Sequence, residues 1–153
     1  MVSLVAVLFL SLYLKEFRRP ISDDDTRVAT SEIARWVLGG DSPRGNKQPV
    51  MELRFFRETT IVLSFVNCPV PEDAADLVPN RKIQIVDDYR PVYEEYGYEG
   101  YFYIVVHQQS RSDDCIHYEV TVGFGSLGGQ GYEFVVTKGV LGLHYAGDQT
   151  WVS

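Results

Sequence analysis

The chain has 153 residues, of which 45% are hydrophobic and 23% charged, and its formal net charge is −7. This length predicts one domain that buries a sizeable core without covalent staples. An acidic surface repels phosphate backbones, so the charge disfavours general nucleic-acid binding. Two cysteines are too few for a disulfide scaffold, and either one bridge or two reduced thiols fits this number.

Residues 1–20, MVSLVAVLFLSLYLKEFRRP, start with an uncharged and mostly apolar run over 1–14. Its basic residues follow the run, whereas those of a secretory signal precede it. The run is also shorter than the roughly 20 apolar residues of a membrane-spanning helix, although flanking cations can reach the lipid–water interface. We predict a membrane anchor or an atypical signal, and an uncleaved anchor would leave the domain on the cytoplasmic side. A core helix or strand, or a start that lacks upstream residues, is the alternative.

Residues 22–38 have the pattern of one amphipathic helix. Ser22 is a good N-cap, and Asp25, three positions later, completes a capping-box pattern. Apolar residues then recur at i, i+4, i+7 and i+8 on one helical face. They are Ala29, Ile33, Trp36 and Val37.

The rest of the chain reads as short strands. Strand-like runs cover 50–56, 59–66, 82–87, 101–109, 115–124, 131–138 and 141–147. Consecutive strands joined by short links are antiparallel. We therefore predict an α+β fold in which one amphipathic helix packs on a curved antiparallel sheet of about six strands. Residues 1–20 would be an apolar N-terminal segment, and 21–153 a single α+β domain.

The run GFGSLGGQGYEF contains Gly123-x-Gly125-x-x-Gly128, with Asp148 twenty positions further on. These letters match a dinucleotide-binding turn, which joins a strand to a helix. Here YEFVVT follows, which is typical of a strand. We predict a bend between two strands, with positive φ at one of the glycines, and no cofactor.

His107, Cys115 and His117 are candidates for metal binding or nucleophilic chemistry. If the flanking strands form a hairpin, His107 lies almost opposite Cys115, and Cys115 and His117 point the same way. With Asp113 or His144 added, a zinc site is conceivable, and a Cys–His nucleophilic pair has the same geometry. The spacing matches no standard zinc module, so we predict no metal and expect surface or hydrogen-bonded histidines.

Acidic residues concentrate at 23–25 and 87–99. We interpret them as a solvated, solubilising face, and a patch for a basic partner is the alternative.

The order of a helix followed by a long meander, ending in GYEFVVTK and LHYAGDQTWVS, resembles the NTF2-like and cystatin-like superfamily. The resemblance covers about residues 22–153 at the level of topology. It implies a cone-shaped pocket between helix and sheet. That superfamily includes isomerases, dehydratases, immunity proteins and interaction modules.

We predict a non-catalytic binding or interaction domain, directed to a membrane by residues 1–19, that binds an unknown protein or small-molecule ligand. The alternatives are a small-pocket NTF2-like enzyme and an immunity-type protein that blocks a basic toxin. The ligand-binding candidates are Tyr101, Tyr103, His107 and His117.

Cell fractionation tests the membrane prediction. We expect full-length protein in the membrane or exported fraction, because the apolar run over 1–14 favours lipid over water. Recovery of intact, full-length protein in the soluble cytosol would contradict it.

Overall fold

The computed structural model describes residues 18–38, 60–77, 82–87, 101–123 and 128–152. The apolar run at 1–14 and the strand predicted at 50–56 lie outside these residues. No helix in the described ranges is long and apolar enough to cross a bilayer.

The predicted helix forms and is capped as its sequence indicates. Helix α1 spans Asp23–Val37. The Ser22 hydroxyl accepts a hydrogen bond from the Asp25 backbone N–H at 3.2 Å, and the Asp25 carboxylate accepts one from the Ser22 N–H at 2.8 Å. This capping box satisfies two backbone donors at the start of the helix. The predicted apolar residues are all buried: Ala29, Ile33, Trp36 and Val37.

Six strands form one mixed sheet. They are β1 (Thr60–Val66), β2 (Ile83–Val86), β3 (Tyr101–Arg111), β4 (Cys115–Gly123), β5 (Gly129–Gly139) and β6 (Gly142–Val152). Their order is β2-β1-β3-β4-β5-β6. A short 3-10 helix, Ala74–Asp76, lies between β1 and β2.

The prediction of an antiparallel sheet is correct for β3 to β6 and wrong for the other pairings. Strand β1 runs parallel to both β2 and β3. The connections over 67–82 and 87–100 are long enough to return the chain to the same end of the sheet, which a parallel pairing requires. The fold is therefore α+β, with one helix on a mixed sheet.

The alternation predicted for β4 is confirmed, and it defines the two faces of the sheet. Ile116, Tyr118, Val120 and Val122 are at most 1% exposed. They lie on the inner face, which we define as the face that packs against α1. The opposite face, called the outer face here, carries Cys115, His117, Glu119 and Thr121, all partly or fully exposed.

Aromatic contacts pack the end of α1 onto β5. The Trp36 ring meets Tyr132 and Phe134 edge-on, with centroid distances of 5.4 Å and 4.9 Å. Edge-to-face geometry is favourable for such rings. Each large apolar side chain buried in this way contributes roughly 1.5–3 kcal/mol.

A β-bulge in β3 directs a cation to the start of α1. Gln108 pairs with Tyr118 and Ser110 with His117, which leaves Gln109 as the extra residue. The bulge shifts the alternation, so that Arg111 reaches the helix. Its guanidinium donates to the Asp23 carboxylate at 2.6 Å and to the Ile21 carbonyl at 3.1 Å.

A second ion pair joins α1 to β5. The Lys138 ammonium lies 2.6 Å from the Asp25 carboxylate, and both side chains are largely buried. Partial burial raises the pKa of Asp25, but the hydrogen bonds from Lys138 and Ser22 outweigh this effect and lower the pKa to about 2. The carboxylate is therefore held ionised by the native structure.

This lowered pKa predicts acid sensitivity. A carboxyl group with a folded-state pKa below its unfolded value stabilises the protein above about pH 4, and this stabilisation is lost as the pH falls through about 2. We expect Asp25→Asn to reduce the free energy of unfolding at pH 7 by about 1–2 kcal/mol. The deficit should shrink between pH 4 and pH 2 in urea denaturation. Asp24→Asn is the control, because Asp24 forms only a highly exposed ion pair with Arg27 among the described residues. Identical pH profiles for wild type and Asp25→Asn would contradict this assignment.

Candidate functional site

The ligand-binding candidates whose side chains are described lie on the outer face. Tyr103 and His107 come from β3, and His117 comes from the paired strand β4. Tyr103 and His107 are partly exposed, and His117 is exposed. Tyr101 starts β3, and its side chain lies outside the described residues. The described candidates thus share one face, which is not the face that contacts α1.

Tyr103 lies over the first glycine of the Gly-rich run. Tyr103 and Gly123 are cross-strand partners, and a side chain at position 123 would overlap the Tyr103 ring. Gly128 has φ 122°, which only glycine adopts readily. Strands β4 and β5, on either side of the run, are antiparallel. The predicted bend is confirmed, and the geometry of a dinucleotide turn is absent from this connection, of which 124–127 lie outside the described residues.

The expected approach of His107 to Cys115 is wrong. His107 is paired with Glu119, four residues further along β4. Strand β3 continues to Arg111, and the bulge at Gln109 changes the register, so the hairpin places Cys115 beyond the reach of that pairing. The His107 Nε2 instead lies 3.3 Å from the Asn67 side-chain amide.

Cys115 and His117 do come together. The Cys115 Sγ lies 3.4 Å from the His117 Nε2. Ser112 lies on the other side of the thiol, with its hydroxyl oxygen 3.5 Å from Sγ. Both cysteines are free thiols, so the structure contains no bridge between Cys68 and Cys115.

No metal centre is formed by the part of the chain that the structure describes. Within it, no group of three or more His, Cys, Asp or Glu side chains is placed to hold a metal ion. The possible zinc site around Cys115 therefore lacks a third ligand there.

A hydroxyl network fills part of the contact between α1 and the sheet. The Thr30 hydroxyl donates to the Thr26 carbonyl at 2.8 Å, and the Tyr118 hydroxyl lies 2.9 Å from the Thr30 oxygen. Because the single Thr30 proton is already used, Tyr118 is the donor in their bond. Burial raises the pKa of Tyr118 to about 12, although the bond to Thr30 opposes this effect. Tyr118 thus acts here as a neutral structural donor.

Cys68 lies close to this network. Its thiol donates to the Val106 carbonyl at 3.4 Å. Burial raises the pKa of Cys68 to about 11, against the effect of its hydrogen bonds. A thiol in this state is a packing group and a poor nucleophile.

An open groove between α1 and the loop after β1 was not predicted. Its volume is about 310 Å³, and its apolar lining comes from Val28, Pro69, Val70 and Pro71. Val28 and Val70 are 49% and 51% exposed. Val28 lies off the apolar stripe of the helix, and the sequence PVP carries no signal of what it faces, so only the tertiary structure brings these residues together.

Comparison of the chain with protein-family models, curated proteins and solved structures found no match. The NTF2-like resemblance therefore stays a prediction.

The hydroxyl network generates a stability prediction. We expect Tyr118→Phe and Thr30→Val each to destabilise the protein, and the two changes to be coupled by about 1 kcal/mol, because either one removes the same buried hydrogen bond. A double-mutant cycle in urea measures the coupling. Tyr132→Phe with Thr30→Val is the control pair, since the Tyr132 hydroxyl donates to Gln130. Strict additivity of the Tyr118 and Thr30 changes would show that the bond contributes nothing.

Proposed function

We propose that this protein is a non-catalytic interaction domain that binds a partner peptide segment in the groove between α1 and residues 69–73. The segment would present an apolar side chain flanked by basic residues. The meeting of two half-exposed valines, Val28 and Val70, in one groove is the observation that carries this proposal.

The apolar part of the groove supports insertion of a side chain. Large apolar residues exposed singly on a surface are ordinary, whereas adjacent ones in a concavity are typical of binding sites. Pro69 and Pro71 restrict the backbone on either side of Val70. A stiff loop loses less conformational entropy on binding, which favours the complex.

The rim of the groove supports a basic partner. Arg27 is paired with Asp24 at 2.8 Å and Arg35 with Asp73 at 3.0 Å. Glu72 also lines the groove, so carboxylates exceed cations at this rim. The chain as a whole carries a net charge of −7, which attracts basic partners from a distance.

The alternative function, a small-pocket enzyme, has less support. Its candidate residues Tyr103, His107 and His117 lie on the outer face rather than between helix and sheet. A catalytic acid or base is more effective in a concave, water-poor site than on an open sheet face. We further propose that residues 1–14 direct the domain to a membrane, on the support of their sequence alone.

A peptide titration followed by amide NMR tests the proposed binding. The probe is the capped peptide Arg-Leu-Lys-Leu-Arg, and Arg-Ser-Lys-Ser-Arg is its charge-matched control. We expect the leucine peptide to shift the signals of Val28, Ser31 and Val70. Val70→Ser should weaken its binding at least about fivefold, because loss of roughly 1 kcal/mol of apolar contact corresponds to that factor.

Leu141→Ser is the matched control variant, because Leu141 is 82% exposed and does not line the groove. It should bind like the wild type. Equal shifts from both peptides, shifts only outside the groove, or unchanged binding by Val70→Ser would count against the proposal.

A further inference from the structure

We propose that Cys115 and His117 form a reactive thiol site that exchanges with small neutral or cationic disulfides. The Sγ–Nε2 distance of 3.4 Å places the thiol within reach of an imidazole base. Cys115 is half-buried and His117 is exposed, so a small molecule can reach both. This site lies on β4 and is independent of the proposed groove.

The fold holds the pair in place from two directions. Residues two apart on a strand point to the same face, which sets His117 beside Cys115. The turn before β4 fixes the thiol: the Ser112 N–H donates to the Cys115 carbonyl at 2.9 Å, and the Cys115 N–H donates to the Ser112 hydroxyl at 3.2 Å. The Ser112 hydroxyl, 3.5 Å from Sγ, is also placed to donate to a thiolate.

The exchange reaction balances without an external oxidant. His117 accepts the Cys115 thiol proton, and the thiolate attacks one sulfur of the disulfide. The disulfide S–S bond breaks as a new S–S bond forms on Cys115. The departing thiolate takes the proton back from the His117 imidazolium. One thiol and one disulfide are present on each side of the reaction.

Charges around the thiol select the disulfide. Asp113 and Asp114, both exposed, immediately precede Cys115, and Glu119 lies on the same outer face. The cross-strand partner of Cys115 on β5 is the uncharged Thr137. These carboxylates repel an anionic disulfide and attract a cationic one.

Cys68 provides an internal control within the same chain. It is packed against the Val106 carbonyl and has no histidine among the partners that the structure gives it. Its raised pKa leaves little thiolate at neutral pH. Exchange should therefore be confined to Cys115.

The experiment uses the folded full chain with cystamine, a dicationic disulfide, and the dianion 5,5′-dithiobis(2-nitrobenzoate). Mass spectrometry follows the mixed disulfide, and each rate is divided by the rate of the same chain unfolded in urea. At pH 7 we expect Cys115 to react with cystamine on the order of tenfold faster than in the unfolded chain. Cys68→Ser should keep this rate, and Cys115→Ser should abolish it. The dianion should show a smaller enhancement.

His117→Gln should remove most of the enhancement, whereas His107→Gln on the same face should leave it unchanged. The wild-type rate should also show an inflection where an imidazole titrates, and this measurement does not depend on any variant folding. The proposal is overturned if folded Cys115 reacts no faster than the unfolded chain. Equal rates for His117→Gln and wild type, or a profile without the inflection, would overturn it equally.

Discussion

Burial of the single apolar face of α1 against the inner face of the sheet is the constraint on which the other features depend. Strand side chains alternate, so each residue committed to the inner face sends its neighbour to the outer face. Tyr118 is therefore inside and His117 outside on the same strand. Buried apolar side chains contribute roughly 1.5–3 kcal/mol each. An exposed ion pair such as Arg27–Asp24 contributes about 0–1 kcal/mol. Apolar burial therefore decides the arrangement of the layers.

Apolar contact alone does not fix where the helix lies along the sheet, because it has no preferred direction. Charge-assisted hydrogen bonds do have one. Asp25 serves both the helix cap and the contact with Lys138, which ties the start of α1 to β5. The bulge at Gln109 turns Arg111 towards Asp23 and, in the same step, places His107 opposite Glu119. One extra residue in β3 thus orients the helix and sets which side chains meet on the outer face.

Local features were predictable from the sequence, and non-local ones were not. The capping box at Ser22, the alternation of β4 and the bend at Gly128 each depend on a few adjacent residues, and all three are confirmed. The parallel pairing of β1 depends on where long connections return the chain, which no local pattern encodes. The register of His107 depends on a bulge without a glycine or proline signal. The candidate groove joins Val28 to a loop distant in sequence, so its existence follows only from the tertiary fold.

Environment, more than residue type, separates the structural from the chemical side chains in this domain. Tyr118 on the inner face is a buried donor with a raised pKa, whereas Tyr103 on the outer face lies over Gly123 and is partly exposed. The cysteines divide in the same way, with Cys68 packed beside the Val106 carbonyl and Cys115 beside an imidazole. Desolvation disfavours the charged form of a thiol, and an adjacent base favours proton transfer from it. A polypeptide that places one cysteine on each side of this divide has one thiol for packing and one available for reaction.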